Sequence, residues 1–329
     1  MASSPVLCLG ELLIDRLADQ PGLSLNDVHS WTSYPGGAPA NVACGLTKLG
    51  TPVNFISCVG SDVLGTALVE FLKTVGLDCA GVQLHPTAPT RQVYVVRTDL
   101  GERQFAGFSQ PDTTLFADTR LQADLLPLNL FAGVKFLVIG TLGLACPETA
   151  AAIQRALEIA QTQFIQVVVD VNWRPMFWPN PSLAPGVIHD LLRQVDFLKL
   201  SIEEAEWLFD TSDPEKIGHQ LGTVKGILVT AGEQGCAYSF SGHQGRLPAF
   251  SVDTEDTTGA GDAFLAGFIH QLCHRGAECL QNPALIREIL TYAGAVGALT
   301  TTRTGAIAAQ PSAKEVEAFL YLQQHSPFS

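Results

Sequence analysis

The sequence predicts an α/β fold, a mostly parallel sheet covered by helices on both faces, from three observations. Val/Ile/Leu-rich runs alternate with helical patterns along most of the chain, the runs are continuously apolar, and two β-rich stretches interrupt the rhythm. A strand buried on both faces reads as an unbroken apolar run, and parallel strands need a helix-sized crossover between them.

Residues 6–9 form the first run, which stops at Gly10 and Glu11 with no basic segment or cleavage site, so it reads as a strand rather than a secretion signal. Residues 53–59, 136–139, 166–171, 197–200 and 226–230 read as further strands, and 41–49, 65–75, 147–161, 188–194 and 202–209 as helices. The first interruption spans 18–34. In the second, Arg91 to Arg97 and Glu102 to Phe105 flank Asp99-Leu100-Gly101, the pattern of a β-hairpin. Insertions of this kind do not extend a βα layer; a small sheet over the strand ends, where ligands sit in open α/β folds, and an ordinary edge hairpin both fit them.

With 329 residues, 47% of them hydrophobic and 16% charged, the chain has enough apolar mass for a well-filled core. A net charge of −13 with only 19 Lys and Arg argues against a nucleic-acid partner. No run of about 18 uncharged apolar residues suggests a membrane span. The eight cysteines are scattered without paired C-x-x-C spacing, so reduced thiols in a cytoplasmic protein are expected.

The most informative stretch is Asp256-Thr257-Thr258-Gly259-Ala260-Gly261-Asp262 before the apolar helix 263–269. A helix beginning near Gly261 would aim free N–H groups and its positive dipole end at a phosphate, and small residues let the backbone come close. Asp262 beside such an anion site is placed to act as a general base; a plain turn with an acidic helix start is the alternative. The run resembles the C-terminal signature of the PfkB-type, ribokinase-like carbohydrate kinases. Tyr34-Pro35-Gly36-Gly37-Ala38-Pro39-Ala40-Asn41 resembles the N-terminal one, its glycines permitting close backbone approach and Asn41 offering a donor and an acceptor.

The resemblance covers nearly the whole chain and implies a ribokinase-like three-layer sandwich, one domain over 1–329, with lid segments at about 16–35 and 90–110. It further implies an ATP-dependent sugar kinase in which Asp262 is the base, Gly259, Ala260 and Gly261 form an anion hole and Arg174 assists. Asp15, Gly36, Gly37, Asn41, Arg97, Phe105, Arg174 and Asp262 would bind the sugar. Ser201, Thr230, Gly232, Gly235, Gly259, Gly261 and Gly294 would bind ATP. Glu204 would hold Mg²⁺ through water, and Asp256 with Thr258 is a candidate site for a monovalent cation such as K⁺. A homodimer through the lid is expected at family level.

Asp170 to Trp178 is similar to the D-x-N-x-R-x-x-x-W run of fructokinases, which makes fructose the expected sugar, with an Asp170–Arg174 ion pair as the structural alternative. Three departures stand out. Ser201 and Gly294 replace the usual Asn, and Phe108-Ser109-Gln110-Pro111 lacks an arginine that fructokinases commonly carry there. The rival readings are a 2-keto-3-deoxygluconate kinase, which needs extra cationic groups from Arg91, Arg97 or Arg103, and a non-catalytic PfkB-like binding subunit.

Overall fold

The computed structural model describes residues 5–98 and 103–325. The expected hairpin turn Asp99-Leu100-Gly101 lies outside the described residues. The chain runs through β1 (Val6–Leu9), β2 (Leu13–Ala18), β3 (Trp31–Gly36), α1 (Ala38–Lys48), β4 (Val53–Gly60), α2 (Val63–Val75) and β5 (Asp78–His85). It continues with β6 (Gln92–Arg97), β7 (Arg103–Phe108), β8 (Phe136–Gly140), α3 (Pro147–Thr162), β9 (Gln166–Asp170), α4 (Ala184–Leu192) and β10 (Phe197–Ser201). Next come α5 (Ile202–Phe209), α6 (Pro214–Leu221), β11 (Gly226–Thr230), β12 (Cys236–Phe240), β13 (His243–Leu247), α7 (Ala260–Arg275), α8 (Pro283–Thr301) and α9 (Ala313–His325).

A nine-stranded sheet has the order β13-β12-β11-β10-β9-β8-β1-β4-β5, parallel from β11 to β5 and antiparallel at the β12 and β13 edge. Successive side chains of a strand point to opposite faces. Val6 and Cys8 therefore join the core under α1, α7 and α8, while Leu7 and Leu9 join the one under α3, α4 and α5. Both faces are dry, which is why these strands carry no polar alternation. The sequence reading omitted β5, β12 and β13, all near the sheet edges. Their buried positions alternate with partly or fully exposed ones, which gives a weaker apolar signal than the central runs.

A second sheet has the order β3-β2-β6-β7. β2 pairs antiparallel with β3 and parallel with β6, and β6 pairs antiparallel with β7. These strands are the two stretches that broke the βα rhythm, and they form one separate small sheet rather than an edge hairpin of the large one. Among the described residues, no helix is long and apolar enough to cross a membrane.

Candidate active site

Gly259 caps α7 with φ 76°, and no side chain caps that helix end, whereas Asp62, Ser201, Asp213 and Asn282 cap α2, α5, α6 and α8. The first-turn N–H groups of a helix have no partner inside it, so this end keeps amides available for an anion. A Cβ on Gly259 would lie 2.9 Å from the backbone of Ala306, and one on Gly261 would lie 2.9 Å from Lys199 Nζ. A side chain at Gly259 would thus meet backbone, and one at Gly261 would press on the Lys199 ammonium.

Beside it opens a cavity of about 400 Å³, with Asp262, Asn41, Asp15, Arg174, Phe105 and Arg103 in its lining. Asn41 was expected at a helix start. It lies instead inside the first turn of α1, because the helix begins at Ala38 with Pro39 in its first turn. From there Asn41 Nδ2 donates to Asp262 Oδ2 at 2.7 Å. Gly37 holds φ 109°, and a Cβ on it would lie 2.3 Å from the Glu11 carbonyl, so only glycine fits. Gly36 leaves the Asp15 carboxylate its space, since a Cβ there would lie 2.4 Å from Oδ2.

Burial raises the Asp262 carboxyl to about 6, with Asp170 adding to the rise and Lys199, the Asn41 hydrogen bond and Arg174 opposing it. Burial likewise raises Asp15 to about 6, against the pull of Arg103 and Arg174. Lys199 was not singled out in the sequence. It faces Asp170 across β9 and β10 in register, and its Nζ donates to Asp170 Oδ2 at 2.7 Å. Burial works against the ammonium, but Asp170, Asp262 and Glu204 outweigh it and hold its pKa above the ordinary value. The one available sequence signal was a lysine inside an otherwise apolar strand. Asp170 pairs with this lysine and not with Arg174, whose Nη1 donates to the Trp173 carbonyl.

Of the expected nucleotide residues, Gly259 lines this cavity, while Ser201, Thr230, Gly232, Gly235, Gly261 and Gly294 lie outside its lining. Ser201 and Thr230 are register partners at the ends of β10 and β11. Gly235 has φ 90°, and a Cβ on it would lie 2.0 Å from the Leu247 carbonyl, while Gly232 at φ 53° has open space around it. Gly294 sits on α8 with Phe250 as the neighbour a Cβ would meet, at 3.7 Å. Glu204 completes a capping box: Oε2 accepts from Ser201 N at 2.8 Å and Oε1 from Trp173 N at 2.6 Å. Each carboxylate oxygen keeps a further lone pair beyond these bonds.

One expectation changes. Arg97 does not reach the cavity: Nε and Nη2 donate to the carbonyls of Ala18 and Asp19, because parallel pairing of β2 with β6 places the end of β2 beside it. Arg103 takes that place in the lining. The Asp256 carboxylate is engaged by groups of the protein itself. Asp256 Oδ1 accepts from Thr258 N and Oγ1, and Oδ2 accepts from Gly305 N and Arg103 Nη2. The guanidinium already supplies the positive charge.

Comparison with known proteins places this geometry. The model of the pfkB family carbohydrate kinases matches residues 3–313. A probable chloroplastic fructokinase-6 of Arabidopsis thaliana is 36% identical over 317 residues, covering 94% of this chain and 81% of that protein. The crystal structure of a fructokinase with bound ATP from Xylella fastidiosa superposes with a TM-score of 0.89 at 30% identity, covering 98% of this chain and 100% of that one. A Vibrio cholerae O395 fructokinase in a fructose, ADP and calcium ion bound form does so at 0.82 and 27% identity, covering 96% and 98%. The two signatures, the sheet topology and these matches agree, and the chain belongs to the pfkB family of carbohydrate kinases.

Proposed function

We propose that this protein is an ATP-dependent fructokinase, converting D-fructose and ATP to fructose 6-phosphate and ADP. The observation that carries the reading is the Asp262 carboxylate at the mouth of an uncapped helix end, bonded to Asn41 and opening on a cavity that also holds Asp15.

In this reading Asp15 and Asn41 orient the sugar hydroxyls. Asp262 takes the proton of the primary hydroxyl as that oxygen bonds to the γ-phosphorus, and the bond from the phosphorus to the bridging oxygen of ADP breaks. The amides of Gly259, Ala260 and Gly261 receive the developing charge, and Arg174 contributes a second positive group. Ser201, Thr230, Gly232, Gly235 and Gly294 belong to the ATP side. Mg²⁺ arriving with the nucleotide would neutralise phosphate charge, with Glu204 reaching it through water.

Cavity charge favours a neutral sugar over the keto acid. Asp15 and Asp262 face Arg174 and Arg103, and Arg103 is already committed to Asp256. Of the other two arginines considered for an acidic substrate, Arg97 binds carbonyls and Arg91 is ion-paired to Asp118 inside the protein. None of these three arginines is left over for a carboxylate. A dimer through the open edges of the small sheet and a cytoplasmic setting belong to the same reading; the burial of Cys8, Cys44, Cys58, Cys146, Cys236 and Cys279 supports the latter.

The test is ADP release from Mg-ATP with fructose, glucose, mannose, ribose, adenosine or 2-keto-3-deoxygluconate. Fructose should be preferred. Turnover of the keto acid alone would move the assignment to the rival kinase, and ATP binding without any sugar-dependent ADP release would make the chain a binding subunit.

A further inference from the structure

Behind the wall that Glu11, Leu142 and Phe177 give the sugar cavity lies a second, small chamber of about 10 Å³, room for a single water molecule. Its polar lining comes chiefly from Glu11, Arg91 and Asp118, side chains that are 5% exposed or little more. Each offers one atom with no partner in the protein: Glu11 Oε2, Arg91 Nη1 and Asp118 Oδ1. Three orphaned, buried polar atoms on residues lining one small space are costly unless something joins them.

Their other bonds define what that is. Arg91 Nε donates to Asp118 Oδ2 at 2.7 Å and Nη2 to the Thr113 carbonyl at 3.0 Å, while the guanidinium lies 4.3–5.1 Å from the ring centres of Phe116, Phe177 and Phe108. Glu11 Oε1 accepts from Ala38 N at 3.0 Å. The Arg91–Asp118 pair is neutral as a unit, so a charged guest would be unbalanced, and the space is too small for a polyatomic ion.

We propose that the chamber is a water site, in which one ordered water accepts from Arg91 Nη1 and from a protonated Glu11 Oε2 and donates to Asp118 Oδ1. Glu11 held in this way is a positioning residue for the sugar cavity, because its other oxygen fixes the Ala38 N–H of the Gly36-Gly37-Ala38 turn. The water makes three bonds and all three orphans are paired. The charged groups facing Glu11 agree: Asp118 and Arg91 across the chamber, Asp262, Asp15, Arg103 and Arg174 across the sugar cavity. Burial, with Asp118 and Asp262 adding to it and two backbone N–H bonds opposing it, raises the Glu11 carboxyl to about 8.

The consequences are separable. Structure and stability do not depend on the kinase reading, whereas the kinetic effect rests on it. A high-resolution crystal structure of the full chain should show one density peak within hydrogen-bond reach of all three atoms; an empty chamber, or an ion in it, overturns the water site. Glu11→Gln keeps the acceptor for Ala38 and offers an N–H to the water, so it should fold and retain fructose KM and kcat within about threefold at pH 7.

Because the folded state holds the proton up to about 8 and the unfolded chain releases it near 4.5, the wild type loses stability as pH rises between those values. Glu11→Gln should therefore gain melting temperature relative to wild type at pH 8 compared with pH 5. An unchanged difference in melting temperature at the two pH values overturns the protonated carboxyl. The wild-type fructose KM should rise about tenfold between pH 7 and about 9.5, and that of Glu11→Gln should not. The same alkaline rise in both, or inactivity of the variant at pH 7, overturns the positioning role. Absence of sugar phosphorylation in the wild type would instead count against the fructokinase reading and leave the water site standing.

Discussion

Arg103 of β7 donates from Nη2 to Asp256 Oδ2 at 2.6 Å, tying the small sheet to the loop that leads into the Gly259-Ala260-Gly261 turn. The guanidinium is about a quarter exposed and the carboxylate buried, and Gly305 N shares the same oxygen at 2.8 Å. One side chain therefore connects the cover of the sugar cavity with the anion-binding helix end.

Removing that connection should loosen the cover without removing chemical groups from the reaction. In Arg103→Ala the fructose KM is expected to rise about tenfold, the size of one charged hydrogen bond, and sugar-independent ATP hydrolysis to increase as water gains access. Steady-state kinetics with and without fructose read both effects; unchanged values would show the pair to be incidental. Since both Asp256 carboxylate oxygens accept hydrogen bonds from the protein, exchanging K⁺ for a bulky organic cation should change wild-type turnover by less than about twofold, and a larger loss in such an assay would mean that a cation binds beside or in place of Arg103.

Asp262→Asn should lower kcat by about two orders of magnitude or more, the range for a positioned base, with ATP binding retained. The base must be ionised, so wild-type kcat/KM should fall as pH drops through about 6, the value to which burial raises Asp262. Asp15 titrates in the same region. Asp15→Asn should raise the fructose KM more than it lowers kcat, a contrast that pH-dependent kinetics of the two variants would resolve.

Lys199→Met leaves the Asp170 carboxylate buried without its cation, and breaking such a pair costs about 3–5 kcal/mol. Urea unfolding should show this loss, and Lys199→Met with Asp170→Leu should recover most of it. Lys199 also lowers the Asp262 pKa, so in Lys199→Met the acid limb of the rate profile should move to higher pH, whereas in the double variant loss of the raising Asp170 charge should cancel or reverse that move. An unmoved limb in Lys199→Met would make Lys199 purely structural.

Gly235→Ala should be far more damaging than Gly232→Ala, although both glycines have positive φ. The first Cβ would overlap the Leu247 carbonyl and the second meets nothing. Gly232→Ala carries only the backbone penalty, about 1 kcal/mol. Thermal melts and the ATP KM of the two variants give the comparison.

The sequence alone determined what depends on neighbours along the chain. Doubly buried strands must be apolar throughout, so the parallel sheet was legible in 6–9, 136–139 and 166–171. A helix that starts on Gly259-Ala260-Gly261 with Asp262 in its first turn is written in consecutive residues. The two β-rich interruptions were visible for the same reason, because their pattern departs locally from the βα rhythm. Tertiary structure decided the pairings between distant positions. Asn41 and Asp262 meet across 221 residues, and Asp170 chose Lys199 over Arg174 because adjacent parallel strands bring their side chains into register. Of three lid-region arginines, Arg97 bends to the carbonyls at the end of β2, Arg91 is sealed among phenylalanines with Asp118, and Arg103 reaches the cavity. Residue type gives each the same charge. Which group each one meets depends on how the small sheet pairs and packs, and nothing local encodes that.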